Sequence, residues 1–375
     1  MPFDTYVWKI ASRCNLNCTY CYVYNLGDES WRQQPRLMSE EVARTAAARI
    51  RDHAVRHGLE RVDINFHGGE PFLGGRRHLE LVHSAITETF AGSGVTVSSA
   101  AQTNALLFEP AIGDLLIERG IALYVSLDGP PEINDRHRLD LRGQPSGARV
   151  AEKIKEISAP PYDRIFAGIL CVVDPTSDPR TVVDYLATFR PPMVDFLLPL
   201  NNHDNPPVRG IDEYADWLRA CYDHVMSLAE PMRVRIFDDI MLALLGHGAG
   251  DSDRQYLVME TDGTLELDDT LKTAFDGASR LGYDIARDDL DVVAADQRLV
   301  PLRAEIAQLG PTCRACALVK ICRGGHVSHR YSASRGLDNP SVYCSALQRL
   351  ILHIRSRLLA EAAAAGSGPA GQPAR

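Results

Sequence analysis

The sequence has no run of basic residues and no unbroken apolar run near the ~20 residues that a membrane-spanning helix needs. Its 40 lysines and arginines are scattered among 49 acids, for a formal charge of −9. The electrostatic footprint of a nucleic-acid binder is therefore missing. The start, "MPFDTYVWKIASRC", lacks the basic, apolar and small-residue regions of a secretory signal. A cytoplasmic protein without membrane or nucleic-acid partners is expected. Cysteine is sparse as well: there are nine in 375 residues, and none between positions 222 and 312. In a reducing compartment, an odd number of cysteines at short spacings points to metal ligation or catalysis rather than to a disulfide framework.

What is present reads as a globular α/β chain, 45% apolar and 24% charged. Short β-rich runs ("YVWKIA", "RVDINFHG", "VTVSSAAQTN", "ALYVSLDG", "RIFAGILCVV", "VDFLLPL") alternate with amphipathic stretches near 39–57, 76–90, 109–119, 149–158, 180–189 and 211–229. Near-continuous apolar strands imply a parallel sheet covered on both faces, so residues 1–230 are expected to form a partial TIM barrel of six βα units. Residues 231–350 change rhythm. "LVMETDGTLELDD" reads as a hairpin, and "GPTCRACALVKICRGG" is turn-rich and cysteine-dense, so a small C-terminal domain is expected there. Residues 351–375 read as the end of a helix starting near Ser345, followed by a low-complexity tail whose last ten residues are expected to be disordered.

In a barrel the chemistry gathers at the C-terminal ends of the strands. Cys14, Cys18 and Cys21 fall there, spaced CxxxCxxC, and the next fifteen residues offer no fourth Cys or His for tetrahedral zinc. Three thiolates suit an iron–sulfur cluster with one open iron; buried structural cysteines or a zinc knuckle are the alternatives. Cys313, Cys316, Cys322 and Cys344 form a second group, for which a zinc ribbon would serve equally on spacing alone. Cys171 and Cys221 read as core packing, and His67 as a satisfied structural histidine.

"SRCNLNCTYCYVY" resembles the CxxxCxΦC signature of radical S-adenosylmethionine enzymes, with Tyr20 as the aromatic residue. The resemblance implies a 4Fe–4S cluster on the three thiolates, with S-adenosylmethionine chelating its fourth iron and cleaved to a deoxyadenosyl radical. Gly68, Gly69, Glu70 and Pro71 match the family's GGEP, where Glu70 would meet the methionine ammonium. Ser126 and Arg138, in "SLDGPPEINDRHR", and Asn104, in "QTN", would contact the cofactor. The C-terminal quartet resembles the SPASM domain of peptide maturases, implying an auxiliary 4Fe–4S cluster. Two departures stand out: His326 occupies the place of a further cysteine, and Gly263 leads to Asp268 where a hairpin cysteine would fall. Two clusters in all are therefore expected. Asp269 lies where related maturases keep an active-site aspartate and is the candidate base, although its acidic surroundings would also suit a solvated hairpin.

Together with "SWRQQPRLMS", "VDFLLPL", "ETDG", "CRGGHVSHRY" and "DNPSVYC", these motifs most resemble the FxsB-like, cyclophane-forming maturases. That implies oxidative joining of an aromatic side chain to Cβ of a nearby residue in a ribosomally made precursor peptide, with the auxiliary cluster as electron acceptor. A low-potential donor such as flavodoxin or ferredoxin is the implied partner. Thioether formation, epimerisation and sulfatase-type oxidation are alternatives on the same machinery, and a non-catalytic, peptide-binding zinc protein is an alternative outside it. No separate peptide-recognition domain is expected before the barrel.

Overall fold

The computed structural model describes residues 2–247, 255–302 and 305–366. Six strands, β1 (Thr5–Ala11), β2 (Arg61–Gly68), β3 (Thr96–Thr103), β4 (Ala122–Ser126), β5 (Phe166–Val172) and β6 (Val194–Leu197), lie parallel and side by side in chain order. Between them run α1 (Glu40–Arg56), α2 (Gly75–Phe90), α3 (Pro110–Arg119), the short α4 (Pro131–Asn134), α5 (Gly147–Ile157) and α6 (Pro179–Ala187), and α7 (Ile211–Ser227) follows β6. The strands and helices read from periodicity are all present in this half. The sheet does not close on itself, because β6 forms one edge, and the result is the expected α/β partial barrel.

Local chemistry explains the alternation. β1 buries six of its seven residues, as a strand covered on both faces must. α1 starts where Ser39 caps the Val42 amide at 3.2 Å, an interaction that contributes about 1 kcal/mol. It then buries Ala43, Ala46, Ala47, Ile50 and Ala54, the spacing of one helical face. α3 begins with Pro110 and stops at Gly120, whose φ of +63° suits a left-handed cap.

The C-terminal region contains α8 (Arg235–Leu244), β7 (Tyr256–Met259), β8 (Thr264–Glu266), β9 (Arg280–Asp284), α9 (Leu290–Ala294), α10 (Pro311–Arg314), α11 (Val319–Cys322) and α12 (Cys344–Gly366). The expected hairpin forms from β7 and β8, but it does not stand apart from the barrel. β7 pairs in parallel with β1, aligning Thr5 with Tyr256 and Trp8 with Met259, so nine strands make one sheet across the 230/231 boundary. α12 lies against α7, with Arg349 on Asp212 at 2.7 Å, His353 on Asp223 at 2.9 Å and the Tyr214 and Tyr343 rings 5.0 Å apart. Of the ten residues expected to be disordered, 366–375, Gly366 ends α12 and residues 367–375 lie outside the described residues.

His53 and His57 on α1 both meet Asp291 of α9 at 2.7 Å. The Phe3 amide already donates to the other nitrogen of His53, and Arg56 pairs with the same carboxylate. The cluster is thus an ion-paired joint between elements. Among the described residues, no helix is long and apolar enough to cross a membrane.

Candidate active site

At the C-terminal ends of the strands the structure holds a cavity of 620 Å³. Cys14, Cys18 and Cys21 line it from the loop after β1. Backbone bonds pin this loop to the segment after β4: the Asn17 amide donates to Leu139 O at 2.8 Å and the Thr19 amide to His137 O at 3.0 Å. Asn25 Nδ2 donates to Cys18 O at 2.8 Å. The Cys14 sulfur accepts from the Leu16 amide at 3.4 Å and from Asn104 Nδ2 at 3.7 Å. Burial pushes the Cys14 thiol up to about 12, with Glu70, Cys21 and Cys18 adding to the rise, and Cys21 up to about 11, with Cys18 adding to it. A trio this costly to ionise in apolar surroundings suits a bound cation that reverses the penalty. The donor set therefore fits a thiolate-held cluster.

The glycines of "HGGEP" make the loop's close approach possible. A Cβ on Gly68 would fall 2.0 Å from Ala11 O, and φ there is +143°. A Cβ on Gly69 would fall 1.9 Å from the Tyr24 hydroxyl and 2.4 Å from Arg13 O. Both glycines line the cavity, as do Tyr20, Asn104, Ser126 and Arg138. Glu70 does not. Its buried carboxylate accepts from Thr103 Oγ1 at 2.6 Å, the Asn104 amide at 2.9 Å and the Phe72 amide at 3.1 Å. It fixes the end of β3, and so orients Asn104, whose Nδ2 also donates to Asn15 Oδ1 at 2.8 Å.

Arg138 donates through Nη1 to the Tyr20 hydroxyl at 3.0 Å, and that hydroxyl donates to Asp128. Asp128 in turn accepts from the Val172 amide at 3.0 Å. The Arg138 Nε is buried without a hydrogen-bond partner, leaving guanidinium donor capacity at the cavity wall. A carboxylate ligand would match it.

Asp269 lines the same cavity, and it is not part of a solvated hairpin: it is 7% exposed. Lys9 Nζ lies 3.1 Å from its Oδ2, and the Tyr22 hydroxyl donates to that oxygen at 2.7 Å. Lys9 also meets Glu260 at 2.8 Å, while Lys272 meets Glu260 at 2.6 Å and Glu266 at 3.1 Å. Burial alone would raise the Asp269 pKa, but the Lys9 ammonium overrides it and, with His67 and Tyr22, holds the carboxyl well below its usual range. Glu260, between two ammonium groups, is likewise held down. Burial pushes Glu266 up to about 7, with Glu260 adding to the rise. His67 is not the satisfied histidine expected: it lines the cavity, and its Nδ1 is buried without a hydrogen-bond partner.

The second cysteine group also comes together. Burial raises the Cys322 thiol to about 11, and Cys344, Cys313 and Cys316 all lie near enough to raise it further. Cys316 accepts from the Leu318 amide at 3.4 Å and from Gln348 at 3.9 Å. Four mutually close thiols fit a fully thiolate-held metal centre. Cys322 reaches the cavity wall, where His326 and His329 join it. Cys171 and Cys221 are buried in the core, outside the cavity. The residues that motif reading missed are Lys9, Tyr22, Asp128 and His329. Asp128 sits in the quoted "SLDGP", and Tyr22 directly follows the third cysteine; Lys9 gave no signal beyond a charge inside an apolar strand.

An open parallel sheet with a three-thiol loop after its first strand is the arrangement expected of a radical S-adenosylmethionine enzyme, and residues 8–181, just under half of the chain, match the Radical SAM superfamily. This sets aside the non-catalytic zinc protein. Over nearly its whole length the chain is similar to the cysteine-type anaerobic sulfatase-maturating enzyme of Clostridium perfringens, at 24% identity over 380 residues, 96% of this chain and 98% of that one. It is 25% identical over 347 residues to the serine-type anaerobic sulfatase-maturating enzyme of Klebsiella aerogenes, 89% of this chain and 82% of that one. The solved structure of native anSMEcpe with bound AdoMet shares the fold, with a TM-score of 0.81 at 21% identity over 96% of this chain and 99% of that one.

Proposed function

We propose that this enzyme is a peptide maturase that removes a hydrogen from Cβ of one residue of a ribosomally made peptide and joins that carbon to a nearby aromatic ring. The observation carrying this reading is that a buried carboxylate, Asp269, kept in its ionised form by Lys9, shares one cavity with the Cys14–Cys18–Cys21 loop. Joining a carbon to a ring costs the substrate one hydrogen atom, then one ring proton and one electron; a placed carboxylate suits the proton, and the auxiliary centre would take the electron.

Cys14, Cys18 and Cys21 would hold the catalytic 4Fe–4S cluster, and Cys313, Cys316, Cys322 and Cys344 the auxiliary one. The Gly68–Gly69 backbone, Tyr20, Asn104, Ser126 and Arg138 would receive S-adenosylmethionine, with Arg138 on its carboxylate. When bound and reduced by a low-potential donor, these groups supply a radical able to take hydrogen from an unactivated C–H bond. The chain's residues place the peptide. Leu170, Phe196, Leu198, Ile240 and Leu347 give the cavity apolar walls that exclude water from the reacting carbon. Asp269 takes the ring proton, and Tyr22 and Lys9 hold it in place.

Sulfatase-type oxidation of a serine or cysteine side chain is the second reading, favoured by the full-length similarity to sulfatase-maturating enzymes. It shares the Cβ hydrogen loss, but the carbon radical then gives up one electron and the hydroxyl or thiol proton, leaving an aldehyde from serine, or from cysteine a thioaldehyde that water converts to the aldehyde with loss of hydrogen sulfide. Anaerobic reaction with candidate precursor peptides, drawn from short reading frames next to the gene, tests both. A crosslinked product is lighter by two hydrogens and resists backbone fragmentation between the joined residues. Oxidised serine loses the same mass, but it fragments normally and is captured by a hydrazide. A product of unchanged mass overturns both readings.

A further inference from the structure

His329 is 3% exposed and lines the cavity, yet neither ring nitrogen has a hydrogen-bond partner. The Pro199 carbonyl weighs on its protonation without completing a hydrogen bond. The ring is held from two sides: Tyr343 packs edge-on at 4.8 Å, and His326, itself tied to Ser328 Oγ at 3.0 Å, lies 5.2 Å away. A buried polar ring left unpaired costs about 1–3 kcal/mol, a cost that an apolar side chain of similar shape would avoid. Within the described chain only the Pro199 carbonyl, outside hydrogen-bond geometry, offsets part of it, and the ring borders the space a substrate must enter.

Resting on the peptide reading above, we propose that His329, with His326 beside it, is a recognition subsite for a hydroxyl- or carboxamide-bearing side chain of the bound peptide. Burial holds the imidazole pKa well below its ordinary value, so the ring is neutral, with one N–H and one lone pair. The N–H and the lone pair point from opposite edges of the ring, so one group meets one nitrogen: a carboxylate suits only the N–H, and an ammonium only the lone pair. Hydroxyls and carboxamides both donate and accept. Leu198, Pro199, Ile321 and Leu347 line the same cavity and suit an apolar stem behind the polar tip.

The test is calorimetric binding of the precursor peptide to the iron- and S-adenosylmethionine-loaded enzyme, with iron content and circular dichroism checked for each variant. In the peptide, each Tyr, Thr, Ser, Asn and Gln is replaced in turn by Phe, Val, Ala, Leu and Met. One replacement should weaken binding to wild type about tenfold, and it should have no further effect in His329→Phe. His329→Gln, which keeps a donor and an acceptor, should bind the parent peptide within about threefold of wild type. Replacements that are all neutral, or that add independently in His329→Phe, overturn the subsite. The peptide series alone remains decisive should His329→Phe misfold. If wild type binds no peptide at all, the peptide reading itself falls and the subsite falls with it.

Discussion

Replacing Lys9 by Met removes a cation that touches three carboxylates inside the sheet. Lys9 is 1% exposed, and its Nζ lies 2.8 Å from Glu260, 3.1 Å from Asp269 and 3.8 Å from Glu266. Lys272 still serves Glu260 and Glu266, at 2.6 and 3.1 Å, but Asp269 would retain the Tyr22 hydroxyl at 2.7 Å and only the weaker influence of His67 and Lys272. Breaking a buried pair by deleting one partner costs about 3–5 kcal/mol, because the survivor stays desolvated. Burial would then raise the Asp269 pKa unopposed by its main cation. Thermal unfolding of iron-loaded protein should therefore show a large loss for Lys9→Met. Lys9→Met/Glu260→Gln, which also removes a carboxylate, should lie above the sum of the single effects by about 0.5–3 kcal/mol. The pH dependence gives a second readout. Asp269 is held low in the folded state, so its stabilisation is present above the unfolded carboxyl value and is lost as pH falls through the folded one. Lys9→Met should flatten that acid limb and shift the acid limb of activity to higher pH. A cost under about 1 kcal/mol, or strict additivity in the double variant, refutes the reasoning.

Burial holds a proton on Glu266 up to about 7, against an ordinary 4.5, so the folded state binds the extra proton in that window and stability falls as pH rises through it. Glu266→Gln should stabilise the protein more at pH 8 than at pH 5, as read by denaturant midpoints, and an equal shift at both would remove the protonated-Glu266 assignment. Anaerobically reconstituted enzyme should hold about eight irons per chain and lose about half when Cys14, Cys18 and Cys21 become Ala; a wild-type count near four rules out the second cluster. Cys344→Ala, if folded by circular dichroism, should still release deoxyadenosine while losing modified peptide, and normal product formation removes the auxiliary centre from the reaction. Gly69→Ala, whose methyl would collide with the Tyr24 hydroxyl and Arg13 O, should abolish S-adenosylmethionine binding by equilibrium dialysis, and retained binding would contradict the tight approach.

The barrel half was legible because its signals are local. Apolar strands and amphipathic helical stretches announce themselves within a few residues of where they act. The cysteine spacings were legible for the same reason. The partner of β7 was not, since periodicity identifies a hairpin but says nothing of which edge it joins, and β1 is some 250 positions away. Buried charge is equally silent: Lys9 looks like a surface residue until Glu260, 251 positions on, is seen beside it. Glu70 carried the right motif, but only three-dimensional placement shows its oxygens already engaged by Thr103, Asn104 and Phe72. Asp269 was singled out by position, whereas the ammonium that keeps it ionised could not be.

The insertion of β1 between β2 and β7 has a consequence for how the protein is made. β1 leaves the ribosome first, and β2 can cover one of its edges after some fifty more residues. The other edge waits for Tyr256–Met259. At ~5–20 residues per second, the interval is on the order of 10–50 seconds. During that time an apolar strand already pinned in a sheet exposes a row of unpaired amides and carbonyls, a template for any passing β-prone chain. Yield in a heterologous host should therefore depend on translation speed between β6 and β7, and on chaperones that shield that edge until the last parallel strand arrives.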